Sequence, residues 1–147
     1  MRVILDANIF ISAAIAAGPP LKALSACIER PDIDLIVCPT LWREVGRSLL
    51  TKPGLLKRIP PDETREFMRR IKPLVHLVPD PVAVEEFTED PKDNYLISLA
   101  REQGVALIVS GDRDLLDWTE QRPPVVPPAA FVVSLEPDVD TPPDLTP

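Results

Sequence analysis

Unbroken apolar runs and amphipathic stretches alternate along this chain, and that alternation predicts its elements. Arg2-Val3-Ile4-Leu5 reads as a buried strand, as do Asp34-Leu35-Ile36-Val37-Cys38, Leu74 to Val78 and Val105 to Val109. Ala130 to Ser134 reads as a last strand. Between them lie helical patterns. Asp6-Ala7-Asn8 opens one through Ile9, Phe10, Ile11, Ala14 and Ile15, and Gly18-Pro19-Pro20 stops it. A second is expected over 21–30, and a third over 39–51, with Leu41, Val45 and Leu49 on one face. A short helical piece follows Lys52-Pro53-Gly54, and a helix over 62–72 follows Pro60-Pro61. Asp90-Pro91-Lys92-Asp93 begins the next, which ends at Gly104, and a short one is expected over 113–120. Strands alternating with helices predict a three-layer α/β/α sandwich with a mainly parallel central sheet.

Length and composition bound this picture. A chain of 147 residues, 45% of them apolar, suffices for one domain that buries about two thirds of its unfolded surface. We place that domain over 1–134 and read 135–147, acidic and rich in proline, as a flexible tail. The nineteen prolines are read as linker residues. No apolar stretch approaches the ~20 residues that span a bilayer, and no signal-peptide pattern opens the sequence. A cytoplasmic protein is expected. Cys27 and Cys38 lie in apolar surroundings without metal spacing and read as buried, reduced thiols. His76, the single histidine, sits inside a strand-like run as a packed or edge residue, which leaves histidine-based catalysis without a partner.

Net charge is −7, but unevenly spread. Nine basic residues fall between Arg43 and Lys72 against four acids (Glu44, Asp62, Glu63 and Glu66). A solvated helical face explains this segment about as well as a phosphate-contacting arm; Arg43, Arg47, Arg69 and Arg70 are the candidates for contact with a nucleic-acid backbone.

Four acids stand apart by position. Asp6 and Asp112 close apolar runs, where ligands bind at the carboxyl edge of a parallel sheet. Asp93 precedes Leu96, Ile97 and Ala100 by three, four and seven residues and so shares their inward stripe. Glu44 borders the apolar stripe of its helix. Ordinary helix-start chemistry competes in each case: Asp6 and Asp112 as N-caps, and Asp90, Pro91 and Asp93 as a capping box. Carboxylates gathered without a cation repel by roughly 4 kcal/mol per pair at about 4 Å and an effective dielectric near 20. A hard divalent cation relieves this.

Taken together and in order, Leu5-Asp6-Ala7-Asn8-Ile9, Leu41-Trp42-Arg43-Glu44-Val45, Asp90-Pro91-Lys92-Asp93-Asn94-Tyr95 and Ser110-Gly111-Asp112-Arg113-Asp114-Leu115 resemble the PIN domain. More closely, they are similar to the VapC-like toxins of prokaryotic toxin–antitoxin pairs. The resemblance implies a metal-dependent ribonuclease that hydrolyses RNA phosphodiester bonds. Asp6, Glu44, Asp93 and Asp112 would hold Mg²⁺ or Mn²⁺, with Asp114 as a supporting acid and Asn8 and Ser110 orienting the ligands. It also implies a homodimer and a small antitoxin partner. Ile11, Ile15, Leu21 and Leu24 could form the dimer face or could simply pack on the sheet.

Two other readings compete. A haloacid-dehalogenase-like phosphatase also places an aspartate after its first strand. It would want an acid where Asn8 stands and a lysine where the nearest basic residue is Arg113. A non-catalytic module that binds metal or a partner would keep the same acids without turnover.

Overall fold

The structure is a computed structural model, and it describes residues 1–137. Its elements run β1 (Arg2–Leu5), α1 (Ala7–Ile15), α2 (Pro19–Glu29), β2 (Asp34–Val37), α3 (Pro39–Thr51), α4 (Pro53–Leu56) and α5 (Pro61–Ile71). A 3-10 turn (Lys72–Leu74) then leads to β3 (His76–Leu77), α6 (Pro91–Glu102), β4 (Leu107–Val109), α7 (Arg113–Leu116), β5 (Val125–Val126) and α8 (Pro128–Leu135).

The five strands form one parallel sheet in the order β3-β2-β1-β4-β5. Val3 to Leu5, Leu35 to Val37, and Ile108 and Val109 are buried, as expected for strands covered on both faces. The result is the expected three-layer α/β/α sandwich. From β1 the chain moves outward through β2 to β3, then returns to build β4 and β5 on the other side. Strand order therefore reverses between β1 and β4, and a crevice opens at their carboxyl ends. The Asp6 N–H donates to the Val109 carbonyl at 2.9 Å and carries the pairing one residue past β1.

Local sequence explains most boundaries. Pro19, Pro39, Pro53, Pro61, Pro91 and Pro128 each open a helix, where the missing N–H costs nothing and φ is already set. Many of the prolines read as linker residues are thus helix starts. Gly18, at φ 144°, makes the turn that sets α2 at 106° to α1. Leu41, Val45 and Leu49 are all buried under α3, on the face the spacing predicts. Among the described residues no single helix is long and apolar enough to cross a membrane.

The last strand departs from expectation. Residues 130–134 belong to helix α8, and the edge strand is Val125–Val126, inside what reads as a proline-rich connection. A five-residue apolar run does not distinguish strand from buried helix by periodicity. Here Pro128 at the first helical position and the one-sided burial of Phe131 favour the helix, which packs on α2. Prolines flanking β5 are tolerated because it is an edge strand. The third strand is also shorter than expected, its start replaced by the 3-10 turn. The tail expected from residue 135 lies outside the described residues from 138 onward.

His76 is an exposed residue of the edge strand, with Nδ1 2.8 Å from Asp34 Oδ2. Both cysteines are free and buried. Burial pushes the Cys27 thiol up to about 12 and the Cys38 thiol up to about 11, so neither supplies a thiolate at neutral pH. Of the apolar positions considered for a dimer face, Leu24 is buried in the core. Ile11, Ile15 and Leu21 are half-buried and packed against it.

Thr64, fully buried on α5, has a hydroxyl with no hydrogen-bond partner. An orphaned buried polar group is destabilising. Thr64→Val is expected to raise unfolding stability by about 1 kcal/mol, read as a higher urea midpoint at an unchanged m-value.

Candidate metal centre

Three helix starts meet at the β1/β4 crevice, and an aspartate caps each one. Asp6 ends β1 and caps α1, its Oδ1 accepting from the Ala7 N–H at 2.7 Å. Asp112 caps α7, its Oδ1 accepting from the Asp114 N–H at 3.0 Å. Asp90 caps α6, its Oδ1 accepting from the Lys92 N–H at 2.9 Å.

Ser110 ties two of these starts together. Its buried hydroxyl donates to Asp6 Oδ2 at 2.7 Å and accepts from the Asp112 N–H at 3.0 Å. Asn8 Nδ2 donates to the same Asp6 oxygen at 3.2 Å, while Asn8 Oδ1 accepts from the Gly111 N–H. Asn8 and Ser110 therefore both hold Asp6 Oδ2. Where covalent phosphatase chemistry would want a proton-donating acid, Asn8 instead holds the neighbouring carboxylate in place.

Asp93 lies one turn into α6, buried at 4% exposure. In a capping box its side chain would reach back to the Asp90 N–H. That N–H goes to the Thr88 hydroxyl instead, at 3.1 Å. Asp93 Oδ2 is buried with no hydrogen-bond partner. Oxygens of Asp90, Asp93 and Asp112 all lie within 4.8 Å of one another. Burial first, then the charges of Asp112, Asp90, Asp6 and Asp114, push the Asp93 carboxyl up to about 7. Asp6 is also raised, by burial above all, against the lowering effect of Ser110 and Ala7; Glu44 and Asp112 add to the rise.

The predicted acids therefore converge, though unequally. Asp93 and Asp112 form a close group with Asp90, and Asp6 is coupled to both of them by charge. Glu44 stands at the rim on α3, with Lys92 Nζ 3.8 Å from its Oε1. Asp114 is exposed and, with Asp90 and Asp93, lines a cleft of about 540 Å³. A second cleft, of about 310 Å³, lies on the other side of Pro91, lined by Arg43, Glu44, Arg47, Lys92 and Tyr95. Arg69 and Arg70 are not part of it: both pair with Glu66 on their own helix.

Sequence reasoning took Asp90 for a cap alone and passed over Asn94. The buried Asn94 carboxamide accepts from the N–H groups of Phe87 and Thr88 and returns a bond to the Thr88 carbonyl. It fastens the loop that delivers Asp90. A polar residue inside the apolar face of α6 was the available signal.

Hard carboxylate oxygens, one of them buried without a partner, fit a hard divalent cation. The donor set contains no sulfur or imidazole that would favour a softer metal.

Known proteins match this chain in family and in fold. The profile of a family described as PIN domain matches residues 2–114. An uncharacterized protein of Methanocaldococcus jannaschii, MJ1680, is 28% identical over 123 residues, which are 83% of this chain and 77% of that one. The crystal structure of PAE2754 from Pyrobaculum aerophilum superposes with a TM-score of 0.63 at 17% identity, covering 91% of this chain and 88% of that one. At that identity the second match speaks to the fold.

The raised Asp93 carboxyl carries a pH dependence. Between its ordinary 3.8 and about 7, the folded metal-free chain keeps a proton that the unfolded chain has released. Stability from this group thus falls as pH rises through that window, and the full penalty stands above it. Asp93→Asn is expected to stabilise the metal-free protein at pH 8 by roughly 1–3 kcal/mol, with the gain vanishing near pH 4. Calorimetric melting with Mn²⁺ and with chelator checks this: added metal should stabilise the wild type more than the variant.

Proposed function

The chain belongs to the PIN-domain family, and on that premise we propose that it is a Mg²⁺- or Mn²⁺-dependent endoribonuclease acting as the toxin of a toxin–antitoxin pair. The observation that carries the metal-dependent reading is the cluster of Asp90, Asp93 and Asp112 oxygens around a buried carboxylate oxygen without a partner. A bound divalent ion would supply the positive charge that a phosphodiester needs and would make a water acidic enough to act as nucleophile near neutral pH.

The chain's own residues prepare that chemistry. Asp90, Asp93 and Asp112 would hold the ion, with Asp6 beside them, and Glu44 and Asp114 at the two rims. Ser110 and Asn8 keep Asp6 in one rotamer, and Asn94 keeps the Asp90 loop closed. Asp93 would have to give up its proton to hold an ion, so affinity would rise with pH up to about 7. RNA as the substrate and the toxin role rest on the resemblance of the four motifs to VapC-like toxins. A second copy of the chain and a small antitoxin are its proposed partners. With Leu24 in the core, a dimer face on the first helices would have to use Ile11, Ile15 and Leu21.

Cleavage of single-stranded RNA by the wild type and by Asp6→Asn, each with Mg²⁺, Mn²⁺ or chelator, tests the activity. Wild type with metal should cut, and Asp6→Asn or chelator should reduce cutting to background. Ser110→Ala should lower the rate by about 10–100-fold, as loss of a ligand-orienting bond does. Equal cutting under all conditions refutes the reading. Growth arrest on expression of the wild type but not of Asp6→Asn tests the toxin role.

A further inference from the structure

The structure sorts the basic residues between Arg43 and Lys72 by what they touch. Arg65 pairs with Asp62, and Arg69 and Arg70 both pair with Glu66, all on the surface of α5 and away from the cleft that Glu44 lines. Arg43 and Arg47 are exposed on α3; like Lys52, Lys57, Arg58 and Lys72, neither forms an ion pair with any described residue, but of these six only Arg43 and Arg47 line the cleft beside Glu44. They stand four residues apart on one helix face, a step of about 6 Å along the axis. That is the scale of one nucleotide step in an extended single strand.

Across the cleft stands Lys92, in the first turn of α6. Its side chain is 73% exposed and reaches Glu44 Oε1 only at 3.8 Å. An exposed pair at that distance is weak and yields readily to a better anion. Tyr95, half-buried, lines the same cleft. Grooves for single strands combine cations along the backbone track with aromatic rings beside it. Glu44 and Pro91 join this cleft to the acidic centre, so a chain lying in it runs directly to Asp93.

We propose that Arg43, Arg47 and Lys92 form the seat for the phosphodiester chain of single-stranded RNA on the α3 side of the acidic centre, with Lys92 exchanging Glu44 for a phosphate oxygen. The polyanion's identity rests on the ribonuclease reading above; the seat itself rests on the pairing pattern and the cleft.

Fluorescence anisotropy of a labelled short oligouridylate, in chelator and across a salt series, tests the seat. Arg43→Gln, Arg47→Gln and Lys92→Gln should each weaken binding about 5–10-fold and reduce the salt slope by about 0.7, the single-strand value per phosphate contact. The Arg69→Gln/Arg70→Gln double variant should stay within about twofold of wild type. Wild-type affinity and slope in the α3 variants, an equal loss in the α5 double variant, or no salt-dependent binding by the wild type would each overturn the proposal. Equal affinity for a duplex of the same length would overturn the single-strand assignment. Binding is read here without cleavage. A protein that binds through Arg43 and Arg47 yet never cuts refutes only the ribonuclease reading; one that cuts but ignores these residues refutes only the seat.

Discussion

Like charge held at close range is the constraint on which this molecule turns. Three carboxylates share a space 4.8 Å across, with a fourth beside them, and one oxygen among them is buried without any donor. Left to itself such a group would swell apart or take up protons. What resists is hydrogen bonding in the loops: one serine hydroxyl donates to Asp6 while accepting from the Asp112 backbone. Through it, the ends of two adjacent strands share a single side chain. Asn8 and Asn94 serve the same end from either flank.

The topology places that repulsion where it can be offset. Because strand order reverses between β1 and β4, the loops leaving both strands diverge and leave room between them. The helices that follow, together with α6, begin at this opening. Their exposed N–H groups and dipoles favour negative charge. Asp6, Asp90 and Asp112 thus each satisfy a backbone donor with one oxygen, and the other oxygen of Asp6 is held by Ser110 and Asn8. A capping role is therefore no argument against the same carboxylates holding a cation.

That overlap explains what could be read from the sequence. Asp6 and Asp112 were legible because each closes an apolar run, and Asp93 because its spacing to Leu96, Ile97 and Ala100 turns it inward. Asp90 was hidden: its capping role is real and accounts for it locally, and only the loop held by Asn94 brings it against Asp93. For the arginines the signal was present but unused, since Glu66 stands three and four residues before Arg69 and Arg70, the spacing of intrahelical pairs. The misread last strand has a different cause. Ala130 to Ser134 is β-branched enough for either element, and Pro128 at the helix start decides together with packing on α2, of which only the second is missing from the local pattern.

Pro91 lines both clefts. On one flank stand guanidinium and ammonium groups; on the other, Glu89, Asp90, Asp114 and Asp117. The molecule therefore presents a polyanion with a steep electrical gradient over the width of one pyrrolidine. Charge of opposite sign thus flanks a single residue, and a divalent ion seated among the acids would level that contrast.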